Sequence, residues 1–162
     1  MKSVFIKRVV ITGLIAGVLD LLAAYTHQYI KTGQFADKML HYIAGGALGL
    51  EKSMQGDVGT QLLGLFFHFF IAFAFTLLFF MIYPRISLQS FNPYLVGFLY
   101  GPVIGATMTF VVLPLSKLHP RKEFNLLNAL TGWIILGVVV GLPIAISAAS
   151  YYKNRQPAAS KA

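Results

Sequence analysis

The chain contains no cysteine, and charged residues occupy only 11% of its 162 positions. Without cysteine, disulfides, thiol catalysis and cysteine-ligated metal sites are excluded. Soluble domains carry roughly 25% charged residues. The low charge, together with a hydrophobic content of 57%, therefore predicts a membrane protein.

Acidic residues are the scarcest charged type: the chain has five, against 13 lysines and arginines. The net charge of +8 raises the question of nucleic-acid binding. The basic residues, however, lie at the ends of apolar runs and in the C-terminal tail, without a basic face or a recognition motif. Such positions are typical of anchors at lipid headgroups. We therefore expect the lipid bilayer as a partner and no nucleic acid.

Four apolar runs fill most of the chain, each long enough to cross a hydrocarbon core of about 30 Å. They predict an all-α, four-helix membrane bundle that forms a single domain over residues 1–152, followed by a short basic, disordered tail at 153–162. Lys2, Lys7 and Arg8 before the first run also resemble a secretory signal, but the run is too long and lacks a small-residue cleavage site. The predicted spans are residues 9–30, 61–83, 94–115 and 126–152.

The connector between spans 1 and 2 is long for a compact bundle. Residues 35–50 carry an apolar stripe at helical spacing that is too short to cross the membrane. This pattern predicts a short interfacial or re-entrant helix. The connection between spans 2 and 3 has only about ten residues, which predicts adjacent antiparallel helices.

Small residues recur every four positions in three of the spans, including a Gly-x-x-x-Gly motif in span 1. This spacing lets neighbouring helix backbones approach closely. Pro102 and Pro143 predict kinks in spans 3 and 4. The predicted helix-packing glycines are Gly13, Gly17, Gly97, Gly101, Gly105, Gly137 and Gly141.

Asp20 is the one acid inside a predicted span, where a carboxylate costs about 2.5–3.5 kcal/mol unless it is paired, protonated or hydrated. His68 in span 2 lies at a similar depth, so the two are predicted to form an intramembrane polar pair. The pair has two interpretations: a proton or ion relay, and a structural hydrogen bond between helices, which the sequence favours. His27, Thr76 and Asn128 are candidate supporting polar residues.

Two possible ligand sites have simpler explanations. His27, His41, His68 and His119 all fall in one half of the membrane, and Asp37 and His41 lie four apart, but no compact metal-binding signature occurs. Exposed histidines at the membrane interface explain the pattern better, so we expect no metal and no cofactor. The phenylalanine-rich second span suggests a cavity for an apolar ligand, although packing and lipid contact are the commoner roles of such residues.

The positive-inside rule divides the basic residues seven to six and so favours cytoplasmic N- and C-termini only slightly. The chain also resembles bacterial four-span inner-membrane proteins grouped as a domain of unknown function. That resemblance implies a packed bundle in the inner membrane and no particular activity. It rests on residues 43–49, 65–72, 99–101, 110–116 and 140–145.

Three functions remain open from the residues. The first is a small transporter or permease-like component that uses Asp20 and His68. The second is a structural membrane protein whose glycines assemble a homo-oligomer or bind a membrane partner. The third is a membrane enzyme acting on a lipid or another apolar substrate, which is less favoured because no catalytic motif occurs.

Overall fold

A computed structural model describes residues 2–118 and 125–154, and within these ranges every regular element is helical. Four helices are long and apolar enough to cross a membrane, which indicates an integral membrane protein. Most of the predicted tail, and the loop that contains His119, lie outside the described residues. The helices are α1 (Lys2–Thr32), α2 (Met39–Leu48), α3 (Leu50–Met54), α4 (Val58–Ile82), α5 (Pro93–Leu115) and α6 (Leu126–Lys153).

Short polar side chains set the starts of three of the long helices. Asp57 accepts a hydrogen bond from the Thr60 amide at the start of α4, and Asn125 caps α6 in the same way. Asn92 accepts from the Tyr94 amide, and Pro93 occupies the first position of α5. These residues satisfy amides that have no partner within a helix, and proline there removes a donor that is not needed.

Two helices widen into π-helical turns just before a proline. In α5 the turn covers Met108–Val112 and precedes Pro114; in α6 it covers Gly137–Gly141 and precedes Pro143. Proline has no amide hydrogen, and its ring clashes with the carbonyl one turn earlier, so a wider turn relieves the conflict. Pro102 differs, because it lies within regular α-helix.

The spans pack in the order α4, α1, α6, α5. On α1, a Cβ added at Gly17 would come within 2.8 Å of the Phe69 ring, and one added at Gly13 would overlap Phe73. On α5, a Cβ at Gly97 would lie 2.7 Å from the Gly141 carbonyl oxygen, so the α5 and α6 backbones meet directly. Gly101, Gly105 and Gly137 line the same α5–α6 contact.

The short helices α2 and α3 cover one end of the bundle, which we call the α2 end. It holds the carboxyl ends of α1 and α5 and the amino ends of α4 and α6. α2 packs against α4, where Gly64 makes room for the Leu40 backbone. The Lys117 amide, just after α5, donates to the Gly46 carbonyl.

The α4–α5 contact is looser than the short connection between these helices predicts. Their backbones stay apart, and Tyr100 bridges them: its hydroxyl donates to the Phe75 carbonyl at 2.9 Å, and its ring lies 4.6 Å from that of Phe79. Bulky aromatic side chains on α4 hold α5 away, whereas glycines draw α5 onto α6. The result is an open seam between α4 and α5.

Replacing Tyr100 with phenylalanine should lower the stability of the bundle by about 1 kcal/mol, because the Phe75 carbonyl loses the hydrogen bond from the Tyr100 hydroxyl. Tyr94→Phe is the matched control, since the Tyr94 side chain is 61% exposed. Thermal unfolding of the two purified variants in detergent compares them. Equal melting temperatures would show that the bridge contributes nothing.

Candidate functional site

His68 joins α4 to α1 at the middle of the first span. Its Nε2 atom lies 2.8 Å from the Gly17 carbonyl oxygen. A carbonyl oxygen only accepts hydrogen bonds, so Nε2 must carry a proton and donate. The contact forms because Gly17 has no side chain and so lets α4 approach closely. The ring of Phe69, the residue after His68, packs directly against the glycine.

This hydrogen bond also determines the tautomer of the neutral His68 ring. With Nε2 held as a donor, the neutral ring has its free lone pair on Nδ1. Nδ1 is therefore the ring nitrogen that the bond to Gly17 leaves unoccupied.

Asp20 lies one helical turn beyond Gly17 on α1, and neither a hydrogen bond nor an ion pair joins its carboxylate to His68. It is half-buried. Within residues 2–118 and 125–154, no group donates a hydrogen bond to its carboxylate. The carboxylate thus has acceptor positions that the described residues leave unfilled, one helical turn from the carbonyl that His68 bonds.

The side of α1 that carries Asp20 is less exposed than the side that faces outward. Asp20, Ala24 and His27 are half-buried, whereas Leu22 is 59% exposed. Two turns beyond Asp20, about 12 Å along the helix, Gln28 lines an open cavity of about 520 Å³ at the α2 end. Asp37 and Lys38 line the same cavity, so its walls are partly charged.

The structure does not bring the other predicted polar residues to the pair. The Thr76 hydroxyl is fully buried and donates to the Ala72 carbonyl of its own helix, two turns from His68. The Asn128 side chain accepts a hydrogen bond from the Lys31 ammonium group at the α2 end. His27 lies on the Asp20 side of α1, closer to that end.

His41 corrects the expectation that the histidines outside the pair are exposed. It is only 5% exposed, because α2 packs onto α4, and its Nε2 atom donates to the Gly56 carbonyl at 3.2 Å. Its Nδ1 atom is buried without a hydrogen-bond partner. In the described part of the chain, no three histidine, cysteine or acidic side chains lie together as a metal site would require.

One buried polar contact has no signal in the sequence. The hydroxyls of Thr12 and Ser147 lie 2.6 Å apart and join α1 to α6. Thr and Ser are common in membrane helices and usually bond their own backbone. Only the packing of α1 on α6 singles out these two.

Comparison of the chain with protein-family models, with curated proteins and with solved structures found no match. The resemblance to bacterial four-span proteins therefore stays a prediction from the residues that suggested it.

Proposed function

We propose that the protein is a small transporter or a permease-like membrane component in which Asp20 and His68 carry a proton. The observation that supports this most is a mid-span carboxylate that accepts no hydrogen bond from the described residues, one helical turn from the carbonyl that His68 bonds. A carboxylate with a purely structural role would be expected to have its oxygens occupied by donors. Ionisable groups inside membranes generally mark transport paths.

A structural role is the second candidate, and the His68–Gly17 hydrogen bond favours it. Such bonds between membrane helices contribute about 0.6–2 kcal/mol. This role explains His68 but leaves Asp20 without one, since the carboxylate takes no part in the bond. The proton-carrying role accounts for both side chains, which is why we prefer it.

We further propose that the protein lies in the bacterial plasma membrane with both termini in the cytoplasm. The α2 end would then face outward. α2 is apolar but too short to span, and α3 exposes Glu51 and Lys52, which supports an interfacial position for both short helices. The close glycine contacts seen here lie within one chain, so a homo-oligomer or a membrane partner would use other surfaces.

Single cysteines test whether water reaches the Asp20 side of α1. The natural chain has none, so each introduced thiol is the only one present. Ala24→Cys, one turn from Asp20, should react with a membrane-impermeant maleimide in intact cells. The matched variant Leu22→Cys should not, although Leu22 is more exposed in the isolated bundle, because its neighbours would be lipid.

The labelling pattern separates the two candidate functions. Modification of the Ala24→Cys variant but not of the Leu22→Cys variant supports an aqueous path. Labelling in intact cells only, or in inverted vesicles only, shows from which side of the membrane water enters. An Ala24→Cys thiol that becomes reactive only after denaturation would mean a dry helix face. That result would refute the transport proposal and leave the structural role.

A further inference from the structure

The open seam between α4 and α5 contains two apolar grooves, one on each side of the Tyr100 bridge. The groove toward the α2 end has a volume of about 480 Å³, and the other has about 530 Å³. Phe67 and Ile71 of α4 and Met108 and Val112 of α5 line the first. Phe79 and Tyr100 lie in the second. Tyr100 thus divides the seam near the middle of the bundle.

The first groove extends through about two thirds of one membrane leaflet. Its α5 wall runs from Met108 to Leu115, about 10 Å at 1.5 Å per residue. Half of a hydrocarbon core measures about 15 Å. The groove therefore begins at the α2 end and ends within the same leaflet, as a site for a single acyl chain should.

The mouth of this groove is basic. Gly46, Ala47 and Ser116 line the end of the groove nearest the α2 end of the bundle. The residues that follow Ala47 and Ser116 in the chain, Leu48 and Lys117, line a polar surface pocket of about 510 Å³. Lys52 and Glu51 border that pocket too, so it carries two cations and one acid.

The two lysines of the pocket differ from Lys38 and Arg85 in their hydrogen bonds. Neither the Lys52 nor the Lys117 ammonium group has a hydrogen-bond partner among the described residues. Lys38, by contrast, donates to the Met54 carbonyl, and Arg85, in the turn beside the second groove, donates to the Met81 carbonyl. Charge complementarity therefore points to an anion at the mouth of the first groove.

We propose that the first groove binds an anionic phospholipid, with one acyl chain between α4 and α5 and the phosphate at Lys117 and Lys52. The apolar walls match the chain, and the groove stays within one leaflet. Juxtamembrane lysines attract anionic headgroups. The lipid would fill the seam that the aromatic side chains of α4 keep open, and so would hold α5 in place beside α4.

Fluorescence quenching by brominated lipids tests the site in full-length protein reconstituted into vesicles. Trp133 is the only tryptophan, so Phe67→Trp in a Trp133→Phe background places the single reporter in the groove. Phe70→Trp is the matched control, one turn along α4 on the outward side and 59% exposed. Brominated phosphatidylglycerol and brominated phosphatidylcholine are compared in mixed vesicles.

The Phe67→Trp reporter should show a preference for phosphatidylglycerol over phosphatidylcholine of about fivefold or more, and the Phe70→Trp reporter should show none. Adding Lys117→Gln should reduce the preference of the groove reporter by about fivefold, and so should 1 M salt, which shortens the screening length to about 3 Å. If Phe67→Trp fails to fold, Ile71→Trp reports from the same groove. Equal preferences at the groove and control reporters, or a groove preference insensitive to Lys117→Gln, would overturn the proposal.

Discussion

Gly101→Ala should destabilise the bundle by about 1–3 kcal/mol or more, through overpacking rather than loss of any contact. The new Cβ would overlap the Gly137 backbone and come within 2.7 Å of the Leu136 carbonyl carbon. Backbone atoms cannot rotate away as a side chain can. Helices α5 and α6 would have to separate, and the neighbouring contact between Gly97 and Gly141 would open with them.

Gly132→Ala provides the control for this prediction. It makes the same chemical change in α6, but an added Cβ there has nothing within 4 Å. Alanine favours a helix by up to about 1 kcal/mol over glycine, so this variant should match or exceed the wild type. Reversible unfolding in mixed micelles measures both. Two variants with the same stability would show that the α5–α6 backbones are not in contact in solution.

Asp20→Asn should reduce proton flux into reconstituted vesicles by about a hundredfold, the size typical of losing a positioned proton-transfer group. Asparagine keeps the shape of aspartate but does not titrate. A pH-sensitive dye trapped in vesicles under an imposed pH gradient reports the flux. Asp57→Asn is the matched control, because Asp57 is exposed at the start of α4 and asparagine caps a helix as well as aspartate does, and it should leave the flux unchanged.

Stability gives the second readout for Asp20. A carboxylate at mid-span costs about 2.5–3.5 kcal/mol, so Asp20→Asn should leave the stability equal or raise it. If it instead lowers stability and leaves the flux at the wild-type level, the carboxylate is structural and the transport proposal fails.

His68 can be divided into its two roles by paired substitutions. The amide of His68→Gln can still donate to the Gly17 carbonyl but cannot be protonated, whereas His68→Leu loses both properties. We expect both variants to lose proton flux, and only His68→Leu to lose stability, by about 0.6–2 kcal/mol. Wild-type flux in His68→Gln would remove histidine from the proton path.

Much of the fold follows from local signals in the sequence. The four spans follow from run length, and their starts follow from capping residues such as Asp57 and Asn92, which act within one turn. Asp20 is identifiable because a charge at mid-span is costly wherever the neighbouring helices lie. None of these inferences requires knowledge of which helices touch.

The candidate site is less accessible, because a partner can be named only when helix neighbours and rotations are known. Equal depth suggests His68 for Asp20. Depth alone cannot reveal that His68 donates to the Gly17 carbonyl, because every helix residue has a backbone carbonyl. Thr76 and Asn128 are candidates because they are polar residues within predicted spans, yet their own hydrogen bonds lie elsewhere.

The amino-acid sequence alone is enough to establish four helices able to cross a membrane, with one carboxylate within the first. Run length, charge and capping are properties of single segments, and that is sufficient for these conclusions. Helix packing, by contrast, places α4 on α1 and α5 on α6, although α4 and α5 are joined by a short turn. Contact depends on the shapes of two facing surfaces: glycines admit a neighbouring backbone, whereas the aromatic rings of α4 leave a seam that Tyr100 bridges.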